Sequence, residues 1–521
     1  MVKSSKIFFI VLVLIPIIIH FFLLNKFLVN FPSWGDDIIY LDIIEKFDKI
    51  SWPERLANIF AFHNYIHRIA FSRTLLILIY KILGIVDFKA IVMVANLQWL
   101  VILWVIFKYL KREQLSIWYL IGISILLFSV NGNIDNYGLI GVLQHLTSIL
   151  FMVLISYGLI YKPNHFWPMF LSLLYPFVIT EGLAFILLVV AFLYLSKSKF
   201  SIVFSILGIV WFVFYFHDYI GNPSNISNIN TLEKLYLFVK GMLVFLGSSI
   251  KHHVSTAWII GLLMMVYSVR FLRKAASEII SSKPTSRLFP LLLLVQTVMI
   301  GALIVIGRVS NSGEQALQVL LADRFYTYGA FLLVILYLML VVDLKNKAFM
   351  KPIYGIVPVC FFGSLSFLNA QNRLFDLKNR VQFDAINTFL FKKSANYTLT
   401  AHDSFLLSNT DLYNFPSEIK EMTFGKLNQS KLRGGRNLTL QKQDQMDPQI
   451  GQYKILDLSD SNEMSVGNVV YFESVSNPLS GILIPIVQIN DGRDNIIKVH
   501  ANGFDYSKPF NAYLIKLNLS L

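Results

Sequence analysis

The sequence has very little cysteine and few charged residues. Its one cysteine, Cys360, lies within an apolar run, so the chain cannot hold a disulfide framework. Charged residues make up 15% of the 521 residues, against about 25% in soluble globular proteins. Hydrophobic residues make up 55%, and many of them form runs long enough to cross a bilayer. The composition therefore argues against a soluble enzyme or a disordered scaffold and favours an integral membrane protein.

The net charge of +14 is unevenly distributed. Residues 370–521 contain 16 Lys+Arg and 15 Asp+Glu, so most of the positive excess lies in the part that carries the apolar runs. There the cations occupy short loops between runs, as the positive-inside rule expects of cytoplasmic loops. The charge therefore indicates orientation in a membrane, and no nucleic-acid partner is expected.

The apolar runs predict about eleven membrane crossings within residues 1–369. Cytoplasmic basic loops then place the N-terminus inside and the C-terminus outside. The predicted crossings are residues 7–28, 88–107, 115–130, 139–161, 166–179, 183–195, 200–216, 254–272, 289–307, 328–342 and 353–368. Residues 74–86 and 235–250 are expected to lie at the outer interface or to re-enter the bilayer from it. Residues 30–73 then form a large first outer loop.

Residues 370–521 contain no run of membrane-spanning length. Alternating stretches at 467–473, 481–488 and 512–519 predict strands, and Asn-Asp-Gly and Asn-Gly sequences lie between them as turn signals. The expected fold class is therefore mainly α. We expect a polytopic helical membrane protein with a small, β-rich, extracytoplasmic C-terminal domain at residues 370–521.

Two acids, Asp36 and Asp37, follow the first apolar run. Adjacent carboxylates repel each other, so one can keep a raised pKa and act as a base, or a cation can neutralise both. The alternative is a pair of solvated acids beside an interfacial Trp34.

Basic groups follow in the same loop at His67, Arg68 and Arg73. Arginine matches phosphate oxygens in two-point geometry, which suggests a phosphate clamp. Anchoring to lipid head groups explains the same residues.

Three further polar groups fall on the predicted outer side. Asn136 and Tyr137 lie in a polar turn that either binds hydroxyl groups or is simply satisfied internally. Glu181 interrupts a long apolar stretch, which indicates a water-lined site or a tight outer turn. The last group, around a short outer loop, comprises Arg308, Glu314, Gln315 and Arg324.

That last group suits a polyanion held at the membrane interface. The alternative is that Arg308 extends to the interface and Arg324 pairs with Asp323. Acids after the first crossing and arginines beside later crossings share one predicted side of the membrane. Such a cavity suits an anionic lipid-linked donor whose phosphate leaves while a carboxylate activates the acceptor.

The arrangement resembles the GT-C class of membrane glycosyltransferases, which take sugars from polyprenyl-phosphate carriers on the outer face. Asp36-Asp37 is similar to the acidic pair of that class in the first outer loop. Over roughly residues 7–369 the chain is also similar to a group of bacterial membrane proteins with a GT-C-like layout. The matching elements are His67-Arg68, Arg73, Phe128-Ser129, Asn136-Tyr137-Gly138, Gly307-Arg308, Gly313-Glu314-Gln315-Ala316-Leu317 and Asp323-Arg324-Phe325. The last departs from the Ser-Arg-Tyr of that group but keeps its arginine.

The resemblance implies an inverting transfer of one sugar from a polyprenyl-phosphate donor to a periplasmic or cell-surface glycan or lipid acceptor. Asp36 or Asp37 would deprotonate the acceptor, and Arg68, Arg73, Arg308 and Arg324 would hold the departing phosphate. No cofactor or metal is expected, although a divalent cation at the two aspartates stays open. The implied location is the bacterial plasma membrane, in contact with its lipids. A transporter or flippase for lipid-linked saccharides, or an assembly partner without activity, is the alternative.

Overall fold

The computed structural model describes most of the chain to residue 391 and separate segments after it. The described residues are 3–33, 35–63, 67–217, 219, 231–249, 253–280, 286–309, 314–345, 352–391, 406–407, 436–437, 440–447, 450–455, 468–475, 481–485, 496–500 and 510–516. Within them the chain is mainly helical, with short strands near both ends of the sequence.

The helices are α1 (Lys3–Phe27), α2 (Ile39–Phe47), α3 (Trp52–Phe60), α4 (Ala70–Leu83), α5 (Phe88–Ala95), α6 (Gln98–Arg112), α7 (Tyr119–Leu127), α8 (Thr147–Tyr161), α9 (Phe166–Leu174), α10 (Gly182–Leu195), α11 (Ser201–Phe216), α12 (Thr231–Gly247), α13 (Val254–Ile280), α14 (Leu288–Arg308), α15 (Asp323–Leu344) and α16 (Pro352–Phe391). The strands are β1 (Phe62–His63), β2 (His67–Arg68), β3 (Arg436–Asn437), β4 (Leu440–Asp447), β5 (Ile450–Ile455), β6 (Asn468–Ser474), β7 (Gly481–Pro485), β8 (Ile496–His500) and β9 (Phe510–Lys516).

Six helical stretches in the described chain are long and apolar enough to cross a membrane. They are Lys6–Phe27, Phe88–Arg112, Gly141–Tyr161, Val254–Ile280, Leu288–Arg308 and Arg324–Leu344. Each overlaps one predicted crossing. These helices indicate a membrane protein.

The other predicted crossings fall on shorter helices or on a longer one. Phe166–Phe177, Gly182–Leu195 and Ser201–Phe216 are apolar but short. A 14-residue helix is about 21 Å long, less than the roughly 30 Å hydrocarbon core. The predicted crossing at 115–130 contains only the nine residues of α7 in α-helix, and the one at 353–368 is part of the 40-residue α16. Apolar composition alone does not reveal these helix ends.

The chain divides into two compact units. The first contains Met1–Lys26, Ser51–Leu76 and Val92–Gln371, and the second contains Phe27–Ile50, Ile77–Ile91 and Asn372–Leu521. The first unit holds most of the candidate spans. Its core centres on α8, where Ile149, Met152 and Ile155 are fully buried.

Glycine allows α12 and α13 to pack closely in the first unit. A Cβ atom on Gly247 would lie 1.8 Å from the carbonyl oxygen of Ala257. One on Gly261 would lie equally close, 1.8 Å, to the carbonyl oxygen of Leu243. Small residues at such contacts are typical of helix pairs in membranes, since they let the backbones approach.

Charged side chains connect α13, α14 and α15 near the start of α14. Arg308 lies at the other end of that helix. Arg287 donates from Nε to Glu278 at 2.9 Å and from a terminal nitrogen to Asp343. Lys274 lies 3.2 Å from the same Asp343 carboxylate. At this end of the helices, the arginine is therefore neutralised by the protein's own carboxylates.

In the second unit the C-terminal strands form two antiparallel sheets. Their orders are β3-β9-β6-β7 and β4-β5-β8. Strands β6, β7 and β9 overlap the strands predicted at 467–473, 481–488 and 512–519. Residues 486–488, residues 517–519 and the predicted turns lie outside the described residues. The Asn387 amide of α16 donates to the Leu483 carbonyl at 2.9 Å and accepts from its N–H at 2.8 Å. It thereby satisfies backbone groups of the edge strand β7.

Candidate functional site

Arg68 fastens the first loop to the end of α11. Its backbone N–H donates to the Tyr215 hydroxyl at 3.2 Å, and its Nε donates to the Tyr215 carbonyl at 2.9 Å. Its terminal nitrogens donate to the carbonyl oxygens of Phe60 and His217. The guanidinium carbon also lies 3.8 Å from the centre of the Phe62 ring. Arg68 is buried, and these contacts favour a positioning role over a phosphate clamp.

Arg73 likewise donates hydrogen bonds to backbone carbonyls, at the end of α3. That helix begins with a capping box, in which Glu54 accepts from the Ser51 backbone N–H at 2.8 Å. At its other end, one terminal nitrogen of buried Arg73 donates to the carbonyls of Asn58, Ile59 and Ala61. A cation at these carbonyls also complements the helix dipole.

Asn136 and Tyr137 lie in a 3₁₀ helix, Asn131–Tyr137, and both are buried. The Asn136 amide donates to Asn133 at 2.8 Å, and the Asn133 amide donates to the carbonyls of Leu127 and Ser129. This network satisfies the end of α7. Asn136 Oδ1, however, is buried without a hydrogen-bond partner in the described chain, so the turn is satisfied internally only in part.

His67 connects the first loop to the turn before α10. Its Nδ1 lies 2.7 Å from Thr180 Oγ1, which lies 2.8 Å from the Tyr215 hydroxyl. Burial, followed by the charge of His63, lowers the pKa of His67 to about 4. The charges of Arg308 and Arg324 lower the pKa of His67 further, so both guanidinium groups act on this loop.

Glu181 ends the same turn, directly before α10. The turn needs glycine next, because a Cβ atom on Gly182 would lie 2.7 Å from the Tyr175 carbonyl. Burial raises the pKa of Glu181, while its own backbone N–H and the Arg308 charge oppose that rise. Its Oε2 atom is buried and has no hydrogen-bond partner in the described chain. Glu181 is therefore a partly buried acid that feels the charge of Arg308 without forming an ion pair with it in the described chain.

Arg308 and Arg324 lie at the two ends of the short loop that connects α14 and α15. Arg308 is exposed at the last residue of α14, and in the described part of the chain its guanidinium forms no hydrogen bond or ion pair. Arg324 is partly buried, with its guanidinium carbon 5.0 Å from the centre of the Phe325 ring. Arg287, at the other end of α14, has carboxylate partners, so the two ends of this helix differ.

Glu314 lies in the loop between α14 and α15, at the start of a 3₁₀ segment. Glu314 is exposed and forms an ion pair with Lys240 of α12. Exposed pairs of this kind contribute little to stability. The side chains of Gln315 and Asp323 lie outside the described residues, so the pairing expected between Asp323 and Arg324 stays a prediction.

The two predicted catalytic aspartates belong to the second unit. Asp37 is fully buried and accepts a hydrogen bond from the Ser33 backbone N–H at 3.1 Å. The Asp36 side chain lies outside the described residues. Their proximity to the arginines of the first unit therefore remains a prediction from the sequence.

Thr180, Tyr215 and Tyr328 belong to the same region but carry no clear signal in the sequence. His145 Nδ1 lies 3.2 Å from the Tyr328 hydroxyl, and its Nε2 lies 4.0 Å from Asp135. His145 belongs to a π-helical segment, Gly141–Leu146, and such segments are frequent at functional sites. Only three-dimensional packing shows the widened turn, because nothing in its residue types requires it.

Among the residues described, no group of three or more His, Cys, Asp or Glu side chains could hold a metal ion. No protein-family model matches the chain, and no curated protein or solved structure matches it.

Proposed function

We propose that this chain is a membrane glycosyltransferase that moves one sugar from a polyprenyl-phosphate carrier to a periplasmic or cell-surface acceptor. The observation that carries the proposal is the exposed Arg308 guanidinium, which has no partner in the described chain. It acts electrostatically on both His67 and Glu181. An anionic ligand supplies the partner that Glu278 and Asp343 supply to Arg287 at the opposite end of the helix.

In the proposed reaction the acceptor oxygen attacks the anomeric carbon and the bond to the phosphate oxygen breaks. The acceptor proton passes to Asp36 or Asp37, and the configuration at the anomeric carbon inverts. Arg308 and Arg324 hold the departing phosphate, whose negative charge grows as the bond breaks. Arg68 and Arg73 shape the loop that carries His67.

The finer topology belongs to the same proposal. It has about eleven crossings, a cytoplasmic N-terminus and an extracytoplasmic β-rich domain at residues 370–521, in a bacterial plasma membrane. Basic loops on the cytoplasmic side support this orientation. The domain would bind the acceptor glycan or cover the cavity.

Conservative substitution of the two aspartates tests the proposed reaction. Asp36→Asn and Asp37→Asn are expected to lower sugar transfer about a hundredfold or more, because neither amide accepts the acceptor proton. In cells, the envelope glycan should lack one sugar, and the polyprenyl-linked precursor should accumulate. Asp42→Asn is the matched control, because Asp42 forms a surface pair with Lys46.

Glycan composition, precursor lipid and the amount of protein in the membrane should be measured together for each variant. Unchanged glycan with normal protein levels would contradict catalysis and favour a transporter or an assembly partner.

A further inference from the structure

The Glu181 carboxyl group lacks the hydrogen bonds that an acid at the start of a helix usually makes. Acids there commonly accept hydrogen bonds from the first backbone N–H groups of the helix. Glu181 makes no such side-chain bond to α10. It interacts instead with its own backbone N–H, and Oε2 is left buried without a partner in the described chain. Helix capping therefore does not account for this side chain.

The surroundings of Glu181 are aromatic and polar. The hydroxyl groups of Tyr175 and Tyr215 both interact electrostatically with its carboxyl group. The neighbouring Thr180 is fixed by hydrogen bonds to His67 and Tyr215, which hold the turn in place. A buried carboxyl oxygen is costly unless it is hydrogen-bonded, so this position calls for a donor from outside the described chain.

This inference rests on the proposed function, whose substrate chemistry identifies the missing hydrogen-bond donor. In a sugar phosphate, the phosphate is attached directly to the anomeric carbon, and hydroxyl groups occupy the adjoining ring carbons. Since the charge of Arg308 acts on Glu181, a ligand whose phosphate is held by Arg308 can present its hydroxyl groups to the Glu181 carboxyl group. Ring hydroxyls are donors that a carboxylate accepts strongly.

We infer that Glu181 binds ring hydroxyl groups of the donor sugar and distinguishes the sugar-bearing carrier from the bare polyprenyl phosphate. Arg308 and Arg324 recognise the phosphate that both lipids share. Glu181 contributes binding free energy only for the lipid that carries a sugar. The site thus favours the loaded donor over the spent carrier that remains after transfer.

Binding to the purified full-length protein in lipid nanodiscs tests this role. The probes are undecaprenyl phosphate and the same lipid bearing glucose, galactose, mannose, N-acetylglucosamine or arabinose, with intrinsic tryptophan fluorescence as the readout. The wild-type protein should bind at least one sugar-bearing lipid more tightly than the bare carrier. Glu181→Ala should reduce that preference about tenfold to a hundredfold and leave the affinity for the bare carrier unchanged.

Glu181→Gln keeps the side-chain shape and guards against misfolding of the alanine variant, and thermal unfolding of each variant checks its fold. Glu233→Gln, in the exposed first turn of α12, is the matched control and should keep the wild-type preference. If the Glu181 variants lose affinity equally for bare and sugar-bearing lipids, or if they keep the wild-type preference, the inferred role of Glu181 is overturned. These two results would leave the proposed function standing. Failure of the wild-type protein to bind any of these lipids would overturn the proposed function as well.

Discussion

Arg73 and Arg308 are the same residue type on the same predicted side of the membrane, yet their environments differ. Arg73 is buried and donates to three backbone carbonyls, whereas Arg308 is exposed and without a partner in the described chain. A buried donor that serves carbonyls stabilises the fold, and an exposed guanidinium is available to a ligand. From the sequence alone both arginines are predicted to bind phosphate, because the sequence does not show which side chain is buried.

Alanine substitution separates these two roles. Arg73→Ala should lower the stability of the protein by about 1–3 kcal/mol, because the carbonyls at the end of α3 lose their donor. Arg308→Ala should leave the stability within about 0.5 kcal/mol but weaken undecaprenyl phosphate binding about tenfold or more. Thermal unfolding in detergent and lipid titration measure the two effects. The assignment fails if Arg308→Ala unfolds the protein as readily as Arg73→Ala does.

His67 makes the stability of the protein depend on pH. Its pKa in the folded chain is about 4, against about 6.5 for an exposed histidine. Between these values the unfolded chain binds more protons than the folded chain does. Stability is therefore fully present above pH 6.5 and falls as the pH drops to 4, by up to about 3 kcal/mol.

Thermal unfolding of the wild-type protein and of His67→Gln between pH 7 and pH 4 measures this dependence. The glutamine variant should lose less stability on acidification than the wild-type protein. His253→Gln is the control, since His253 is exposed. Parallel pH profiles for wild type and His67→Gln would show that other groups cause the acid sensitivity.

At the scale of the element, α12 and α13 show how glycine determines a helix pair. A Cβ atom on Gly261 would meet the Leu243 carbonyl, whereas one on Gly307 of α14 would meet nothing within 4 Å. Gly261→Ala should therefore destabilise the first unit by about 1–3 kcal/mol through overpacking. Gly307→Ala should change stability by under about 1 kcal/mol, in the stabilising direction. Thermal unfolding of both variants tests the contact, and equal midpoints would contradict it.

The elements themselves follow the sequence to different degrees. Strands β6, β7 and β9 lie where alternating residues predict them. Helix ends are less predictable, because hydrophobicity continues across turns. The 3₁₀ segment Tyr175–Phe177, for example, follows directly on apolar α9.

At the scale of the whole molecule, the proposal requires the acidic pair of the second unit to approach the arginines of the first unit. Cysteine cross-linking measures that distance. In a Cys360→Ser background, Ser33→Cys with Gly307→Cys should react with a bifunctional reagent that spans about 10 Å, the reach of one sugar phosphate between closing side chains. Ser33→Cys with Ser286→Cys is the control, because α14 separates positions 286 and 307 by about 30 Å.

Cross-linking of the control pair alone would place Asp36 and Asp37 near the opposite end of α14 and would remove them from the proposed site.

The sequence by itself determined that this chain is helical and has segments able to cross a membrane, because these properties depend on local runs of apolar residues. It also determined which polar residues were candidates. Only the tertiary structure decided what each polar group contacts. His67 meets Thr180, 113 positions away, and Arg68 meets Tyr215, 147 positions away. Such partners are determined by the packing of elements that are distant in the sequence, and no local sequence pattern indicates which groups will meet.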